Sequence, residues 1–556
     1  MPRHHPLSRI ASVLVVSLFA LVWFAILAPR HLAKTDEGRY AEIPREMVVS
    51  GDWITPRLDG LLYFEKPALQ YWATAAAFEV FGPSEWATRL WTGLTGFLGV
   101  LVIAYTTRRL YGGASGFYAA AVLASSLLYL LMGHVATLDM GVTFFMTAGL
   151  CAALLARQSN ASTQARGWML LSWALFGLAV LSKGLEGIVL PGLVLILYLV
   201  TTRDATFASR LEPWRGPLVF LAVTAPWFVL VALRNPDFAH FFFIHEHFER
   251  FLTTSHHREG PWWYFIPILA VGLVPWIFVL PGALAWAQRE THLPSQSSNG
   301  RFMPGRLLLI WSAAIFLFFS FSASKLPSYI LPIFPALAML IGAYLAQAEQ
   351  RLFTWLALAS LGVACALLGL SWAGLSWVTP VPADEAQAYA EFGHGLAIAG
   401  ALWVLASITA LWLVLRGRLR ASLAVIAAGS IAAASTGLVA YGALDRFASA
   451  QYVAAALAGV LTDDTPLYSV EQYEQTLPFY LGRTLILVNQ RDELDFGLKE
   501  QPERGIASLA AFAIRWMAEP KGVAIMPPST FDKLQAMKLP MRVILKDRRF
   551  VVVSKP

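Results

Sequence analysis

The stretch IASVLVVSLFALVWFAIL (10–27) carries no charge over eighteen residues. As a helix rising 1.5 Å per residue it covers roughly 27 Å, close to the ~30 Å of a bilayer's hydrocarbon core. Pro29-Arg30-His31 follows with no small-x-small cleavage site, so the run reads as a retained anchor rather than a signal peptide. The rest of the chain repeats this pattern. Of its 556 residues 57% are hydrophobic and only 14% charged, where a soluble domain carries about 25% charge. Lipid is therefore the expected solvent for most of the protein.

Apolar runs predict about thirteen spans, at 10–29, 88–107, 114–132, 137–156, 168–182, 185–201, 215–233, 262–286, 306–322, 327–346, 352–376, 393–416 and 420–444. Residues 68–81 are apolar but too short to cross, and Gly82-Pro83 behind them suggests an interfacial helix. The short loops sort by charge. One class holds Arg3, Arg9, Arg108, Arg109, Arg157, Arg166, Arg203, Arg210, Arg215, Arg289, Arg301, Arg306, Arg351, Arg416, Arg418 and Arg420, and the alternate short loops are nearly free of arginine. By the positive-inside rule the arginine class is cytoplasmic, which puts the N-terminus inside and the C-terminus outside. The net charge of +7 is then a topological signal, and nucleic acid is not an expected partner. Cys151 and Cys365 both lie in apolar runs, so no structural disulfide is expected.

The tail changes character near residue 449. TPLYSV (465–470), LPFYL (477–481), TLILV (484–488), GVAIM (522–526) and the terminal MRVILKDRRFVVVSK (541–555) read as strands, with a helical pattern at about 505–518. The expected organisation is a mostly helical polytopic membrane domain, 1–448, followed by a small α/β domain outside the membrane, 449–556. That small domain shows no nucleophile elbow, phosphate loop or metal-ligand spacing.

Two outside loops break the charge rule: 31–87, and 234–261 with Arg234, Arg250 and Arg258. Long loops translocate whatever their charge, but here acids and bases interleave with aromatics beside the membrane. TDEGRY (35–40) opens the first loop. At helical spacing Asp36, Arg39 and Tyr40 share one face, and Glu42, Arg45 and Glu46 another. Thr35 or Asp36 could cap an amphipathic surface helix, the structural alternative to a substrate-binding role for Asp36. Further on stand Arg57, Tyr63, Glu65 and Lys66, the last before Pro67. Lys66 could serve as a point charge for phosphate or could snorkel beside lipid headgroups. Other outward ends add Asp139, Lys183 with Glu186, and Lys325 before Tyr329. In HFFFIHEHFERF (240–251), His247 and Arg250 share a helical face. His245 and His247 diverge on a helix, so they make a poor zinc pair. Glu65 with His245, His247, His256 or His257 could still take up a divalent metal, although no cofactor is required. Ionisable groups gathered on one face beside lipid suit an amphiphilic ligand with an anionic head.

The order of these motifs resembles the first outside loop of the GT-C glycosyltransferases. Asp36-Glu-Gly-Arg-Tyr-Ala-Glu42, Gly51-Asp-Trp53, Phe64-Glu-Lys-Pro67 and then Arg89 carry the likeness. Thr137-Leu-Asp139, Ser182-Lys183-Gly184, His247-Phe-Glu-Arg250 and Ser324-Lys325-Leu-Pro327-Ser-Tyr329 extend it over residues 10–350. Within that superfamily the chain is most similar to the branch of protein O-mannosyltransferases and bacterial lipid A aminoarabinose transferases. Thirteen spans and a small outer domain favour the latter. The resemblance implies a donor of undecaprenyl phosphate carrying 4-amino-4-deoxy-L-arabinose and a lipid A phosphate acceptor. It also implies transfer at the periplasmic face of the inner membrane and resistance to polymyxin. Membrane lipids are further expected partners, and a monomer is the expected state.

Departure of a polyprenyl phosphate from the anomeric carbon builds negative charge, which preorganised cations stabilise. Lys66 and Arg250 are the first candidates, with Arg57, Lys183, Lys325 and Arg39 behind them and Tyr40, Tyr63, His247 and Tyr329 lining the donor site. Asp36, Asp139 and Glu65 are the candidate catalytic carboxylates. A phosphate acceptor is mostly ionised near neutral pH (second pKa about 6), so Asp36 is expected to hold the sugar's ammonium or orient the acceptor rather than act as a strong base. The alternatives are a relative moving another sugar to a protein or glycan, and a flippase for the same lipid. A flippase would need ionisable groups at the bilayer midplane and a repeated half, and the charges here gather at one face.

Overall fold

The computed structural model describes residues 6–249, 260–289, 302–373, 385–490 and 493–556. It divides into two compact units. One comprises residues 1–29 and 89–441, the other residues 30–88 and 442–556. The division falls in the first turn of the helix Glu85–Tyr111.

Among the described residues the first unit contains helices and no strands. A helix stands at each of the thirteen apolar runs. Among the described residues nine are long and apolar enough to cross a membrane. The bent pair Phe265–Gly272 and Trp276–Arg289, angled at 104°, makes ten if counted as one span. The remaining three runs are shorter: Val13–Ala25, Gly113–Ser125 and Glu186–Thr202. In 114–132 the helix stops at Ser126, which is extended (ψ 123°), and resumes as Leu127–Met132. The count of thirteen crossings is therefore not reproduced, while the mostly helical integral-membrane character is.

Leu138–Gln158 is the core helix, 94% of its apolar window being buried in protein rather than left for lipid. Small residues set the spacing of helices elsewhere in the unit. Gly342 lies so close to Ala119 that a Cβ would stand 2.5 Å from the Ala119 backbone nitrogen, the close approach typical of membrane helices. Several polar groups inside are paired. Trp23 donates to the Gly93 carbonyl (2.8 Å), Tyr129 to that of Gly96 (2.8 Å), and Trp276 to Ser125 Oγ (3.0 Å). Arg157 and Asp204 form a fully buried ion pair at 2.7 Å. Removing one partner of such a pair costs about 3–5 kcal/mol.

The second unit is built on a six-stranded mixed sheet. Its strands are β3 (Leu467–Val470), β4 (Ile486–Val488), β5 (Gly505–Ile506), β6 (Val523–Met526), β7 (Arg542–Lys546) and β8 (Val551–Ser554), in the order β5-β4-β3-β6-β8-β7. The first four are parallel, and the terminal hairpin is antiparallel with a bulge between Val543 and Leu545. Every residue of β3 and β6 is buried, as central strands covered on both faces should be. Tyr468, Val470, Phe512, Trp516, Met526 and Val553 form the core. LPFYL (477–481) is a helix, not a strand. Pro478 occupies its first turn and Gly482, at φ 67°, ends it. The short apolar run is ambiguous by periodicity, and its start and stop signals decide it.

Residues 30–88 pack with this sheet. They form the helix Asp36–Ser50, the hairpin β1 (Arg57–Leu58) and β2 (Leu61–Leu62), and the helix Leu69–Phe81. The hairpin turns on Asp59-Gly60, both at positive φ (58° and 76°), the signature of a two-residue turn. Lys34 N donates to Ala448 O, Leu62 N to Gln501 Oε1 and Leu485 N to Asp59 Oδ1.

Candidate functional site

Two groups of sequence-selected residues stand out, one in each unit. In the second unit the helix Asp36–Ser50 begins without a side-chain cap. Thr35 makes no capping bond, and the carboxylate of Glu37 accepts from Ala33 N (2.9 Å) and from Arg30 (2.7 Å) instead. The helix is not an exposed amphipathic one, for residues 37–47 are all buried. Gly38 has a strict reason. A Cβ there would sit 2.6 Å from the backbone carbonyl carbon of Gln475.

Arg39 is the hub. Its guanidinium lies 3.7 Å from Asp36, pairs with Glu493, and has its Cζ 5.8 Å from the ring centres of both Tyr40 and Tyr63. Burial works against the Arg39 charge, but its acidic neighbours Glu493 and Glu65 outweigh it and hold the guanidinium well above its ordinary pKa. Arg39 Nε is buried and has no hydrogen-bond partner among the described residues. Burial also raises Tyr40, Tyr63 and Tyr71 well above the usual phenol range, so they stay neutral. Gln475 Nε2 fixes Glu493 Oε1 at 2.6 Å. Asp36 keeps its side chain 44% exposed, open to a ligand while tethered to Arg39. Lys66 Nζ donates to the Glu65 carbonyl (2.9 Å). Arg57 reaches the Gly60 carbonyl across its own hairpin (3.3 Å).

Behind this face lies a buried acid cluster. Arg45 is bidentate to Glu42 (2.7 and 2.5 Å) and donates to Gly482 O. Glu46 accepts from Gly60 N (2.9 Å) and Asp59 from Leu485 N (2.7 Å). Burial pushes Glu46 well up and lifts Asp59 to about 8, so three carboxyls here do not carry three charges at neutral pH.

In the helical unit Asp139 occupies the first turn of Leu138–Gln158, and Lys183 ends the helix Ser162–Lys183. Lys183 Nζ is 2.8 Å from Asp139, 3.0 Å from Glu186 and 4.8 Å from the ring centre of Tyr329. Gly184, at φ 114°, makes the turn that brings Glu186 back, and Gly187 packs against the Ala179 backbone. The cluster carries one net negative charge and is mostly buried. Lys325 is buried, donates to the carbonyls of Ser320 (2.7 Å) and Ser322 (2.8 Å), and lies over Phe265. Burial lowers its pKa.

Arg250 and His256 lie outside the described residues, as does His257. The backbone at His245 and His247 forms the π-helix His240–Glu249, and their side chains lie outside the description. Among the described residues no group of three His, Cys, Asp or Glu is set to hold a metal ion. Sequence reading misses Glu493 as the partner of Arg39. It sits 454 positions away, in a segment with no motif of its own.

Residues 453–555 match the family model of the aminoarabinose transferase C-terminal domain, and 65–230 match that of dolichyl-phosphate-mannose-protein mannosyltransferase. An undecaprenyl phosphate-alpha-4-amino-4-deoxy-L-arabinose arabinosyl transferase from Edwardsiella ictaluri is 36% identical over 59% of this chain and 58% of its own length. A protein of the same description from Erwinia tasmaniensis is also 36% identical, over the same shares. The chain thus aligns with less than two thirds of these curated relatives. The crystal structure of ArnT from Cupriavidus metallidurans bound to undecaprenyl phosphate is 38% identical, covers 98% of both chains and superposes with a TM-score of 0.91.

Proposed function

The chain belongs to the bacterial aminoarabinose transferase family of membrane glycosyltransferases, and from that premise we propose that it moves 4-amino-4-deoxy-L-arabinose from undecaprenyl phosphate to a phosphate of lipid A. The observation that carries the reading is the match along 98% of both chains to a relative crystallised with undecaprenyl phosphate. Transfer takes place at the periplasmic face of the inner membrane. It replaces negative charge on lipid A with an ammonium, so cationic peptides such as polymyxin bind less well.

The reaction breaks the bond between the anomeric carbon and the donor's phosphate oxygen. A new bond forms from an acceptor phosphate oxygen to the same carbon. The departing polyprenyl phosphate gains charge, and cations fixed in advance stabilise it without reorganisation. Lys66 takes that role, with Arg39 Nε a buried donor that has no hydrogen-bond partner among the described residues. Asp36 is the carboxylate for the sugar. Its partner Arg39 restrains it, and the sugar's ammonium is the cation it receives. The acceptor phosphate needs no base to ionise it, its second pKa being about 6.

The test is release of undecaprenyl phosphate from a synthetic aminoarabinose donor by the purified chain. Release that requires lipid A and occurs in detergent supports a transferase. Movement of intact donor across a vesicle bilayer, with no release, would instead identify a flippase.

A further inference from the structure

At the carboxyl edge of the second unit's sheet, β3 and β4 are each followed by a residue held in the left-handed region, Glu471 at φ 54° and Asn489 at φ 50°. Side-chain-bearing residues seldom sit there unless the surrounding structure demands it, and such positions gather at ligand sites. Open parallel sheets bind ligands outside the carboxyl ends of their strands, and β3 and β4 are parallel neighbours. A cavity of about 670 Å³ opens at this edge. Glu471, Gln472, Tyr473, Gln475, Asn489 and Gln490 line it, together with Glu493.

The lining is already braced. Glu471 accepts from Asn489 Nδ2 (2.9 Å), Thr530 Oγ1 (2.7 Å) and Lys533 Nζ (3.0 Å). Two of the lining residues, Gln472 and Tyr473, each hold a donor, Nε2 and Oη, that is itself buried and has no hydrogen-bond partner among the described residues. The wall is made of carboxamides, carboxylates and one phenol. Sugar hydroxyls, which donate and accept, match that set, since carboxylates take their protons and amide N–H groups meet their oxygens. Its two carboxylates are each paired with a cation, Glu471 with Lys533 and Glu493 with Arg39, so the wall is close to neutral and suits an uncharged sugar better than a phosphate.

We propose that this cavity is a saccharide-binding subsite that takes a non-reacting sugar of the acceptor's headgroup, an inference that rests on the lipid A reading above. The experiment uses the full chain in nanodiscs and saturation-transfer NMR with an unacylated, unphosphorylated glucosamine disaccharide. Gln472→Ala with Gln490→Ala is the variant. Gln472 is tied to the sheet through its backbone carbonyl, which accepts from Ser469 Oγ, and its side-chain amide nitrogen has no partner among the described residues. The melting temperature of the variant is recorded alongside. The wild type binds the disaccharide saturably, and the variant binds it at least fivefold more weakly while melting with the wild type. No binding by the wild type, equal binding by the folded variant, or displacement of the disaccharide by inorganic phosphate would each overturn the proposal. Aminopentose transfer by the same wild-type preparation is scored separately. Disaccharide binding without transfer would end the lipid A reading and leave the saccharide site standing.

Discussion

At the scale of single residues, charge is kept where it is shared. Asp36 is half open and leans on Arg39, and Arg39 is held by Glu493. If Asp36 positions the aminosugar, Asp36→Asn abolishes transfer at every pH. If it were a base, raising the pH would restore activity to the variant by ionising the acceptor fully, and that rescue would refute the positioning role. Asp139→Asn leaves Glu186 as the carboxylate paired with Lys183. Loss of one charge-assisted bond of this kind costs about 1.5–3 kcal/mol, so the variant unfolds at lower denaturant concentration. Asp59 gives a pH signature. Its folded pKa, about 8, is above the ordinary 3.8. The folded state therefore binds the proton more tightly. The benefit is complete below about pH 4 and is lost as pH rises towards 8. Asp59→Asn keeps an oxygen for Leu485 N and cannot ionise. Its melting temperature should overtake that of the wild type as pH increases over this window, and parallel curves would show that Asp59 is not the group responsible.

At the scale of elements, the helix Asp36–Ser50 is the piece whose placement matters most. Its register depends on Gly38, which lies flat against the backbone at Gln475 and Thr476. Gly38→Ala cannot be absorbed by a flexible side chain, because the atoms it meets are backbone. Overpacking of this kind typically costs about 1–3 kcal/mol. The expected result is a lower melting temperature with activity reduced beyond what the stability loss explains, and unchanged kinetics would show that the helix can shift freely. This glycine stands inside a motif visible in the sequence, yet its reason is not. The Gln475 backbone it fits is 437 positions away. The helix 477–481 teaches the same lesson at shorter range. Its five residues carry no periodic signal, and only Pro478 and Gly482 mark its ends.

At the scale of the whole molecule, hydropathy carried most of the fold. Uncharged runs such as 10–27 mark where helices form, because burying apolar side chains in lipid is a local property of sequence. The number of crossings was less legible. Ser126 interrupts one run, and a bend at residues 273–275 interrupts another. The candidate site drew attention where cations stood against the positive-inside rule, as with Arg39 and Lys66. It was not legible where it depends on long-range pairing, as with Glu493. Residues 30–88 form one compact unit with the chain after 442. Truncation after residue 448 should therefore strip cover from Glu42, Arg45 and Asp59 and leave an unstable, inactive protein, detectable by protease sensitivity of residues 30–88. A stable truncated chain would show that this loop folds without the sheet.

The most direct measurement is mass spectrometry of lipid A after incubation with the reconstituted chain and polyprenyl-phosphate-linked aminoarabinose. The account predicts a gain of one amino pentose on a lipid A phosphate, absent with Asp36→Asn. Lipid A of unchanged mass, with active-site residues intact and donor present, would contradict it.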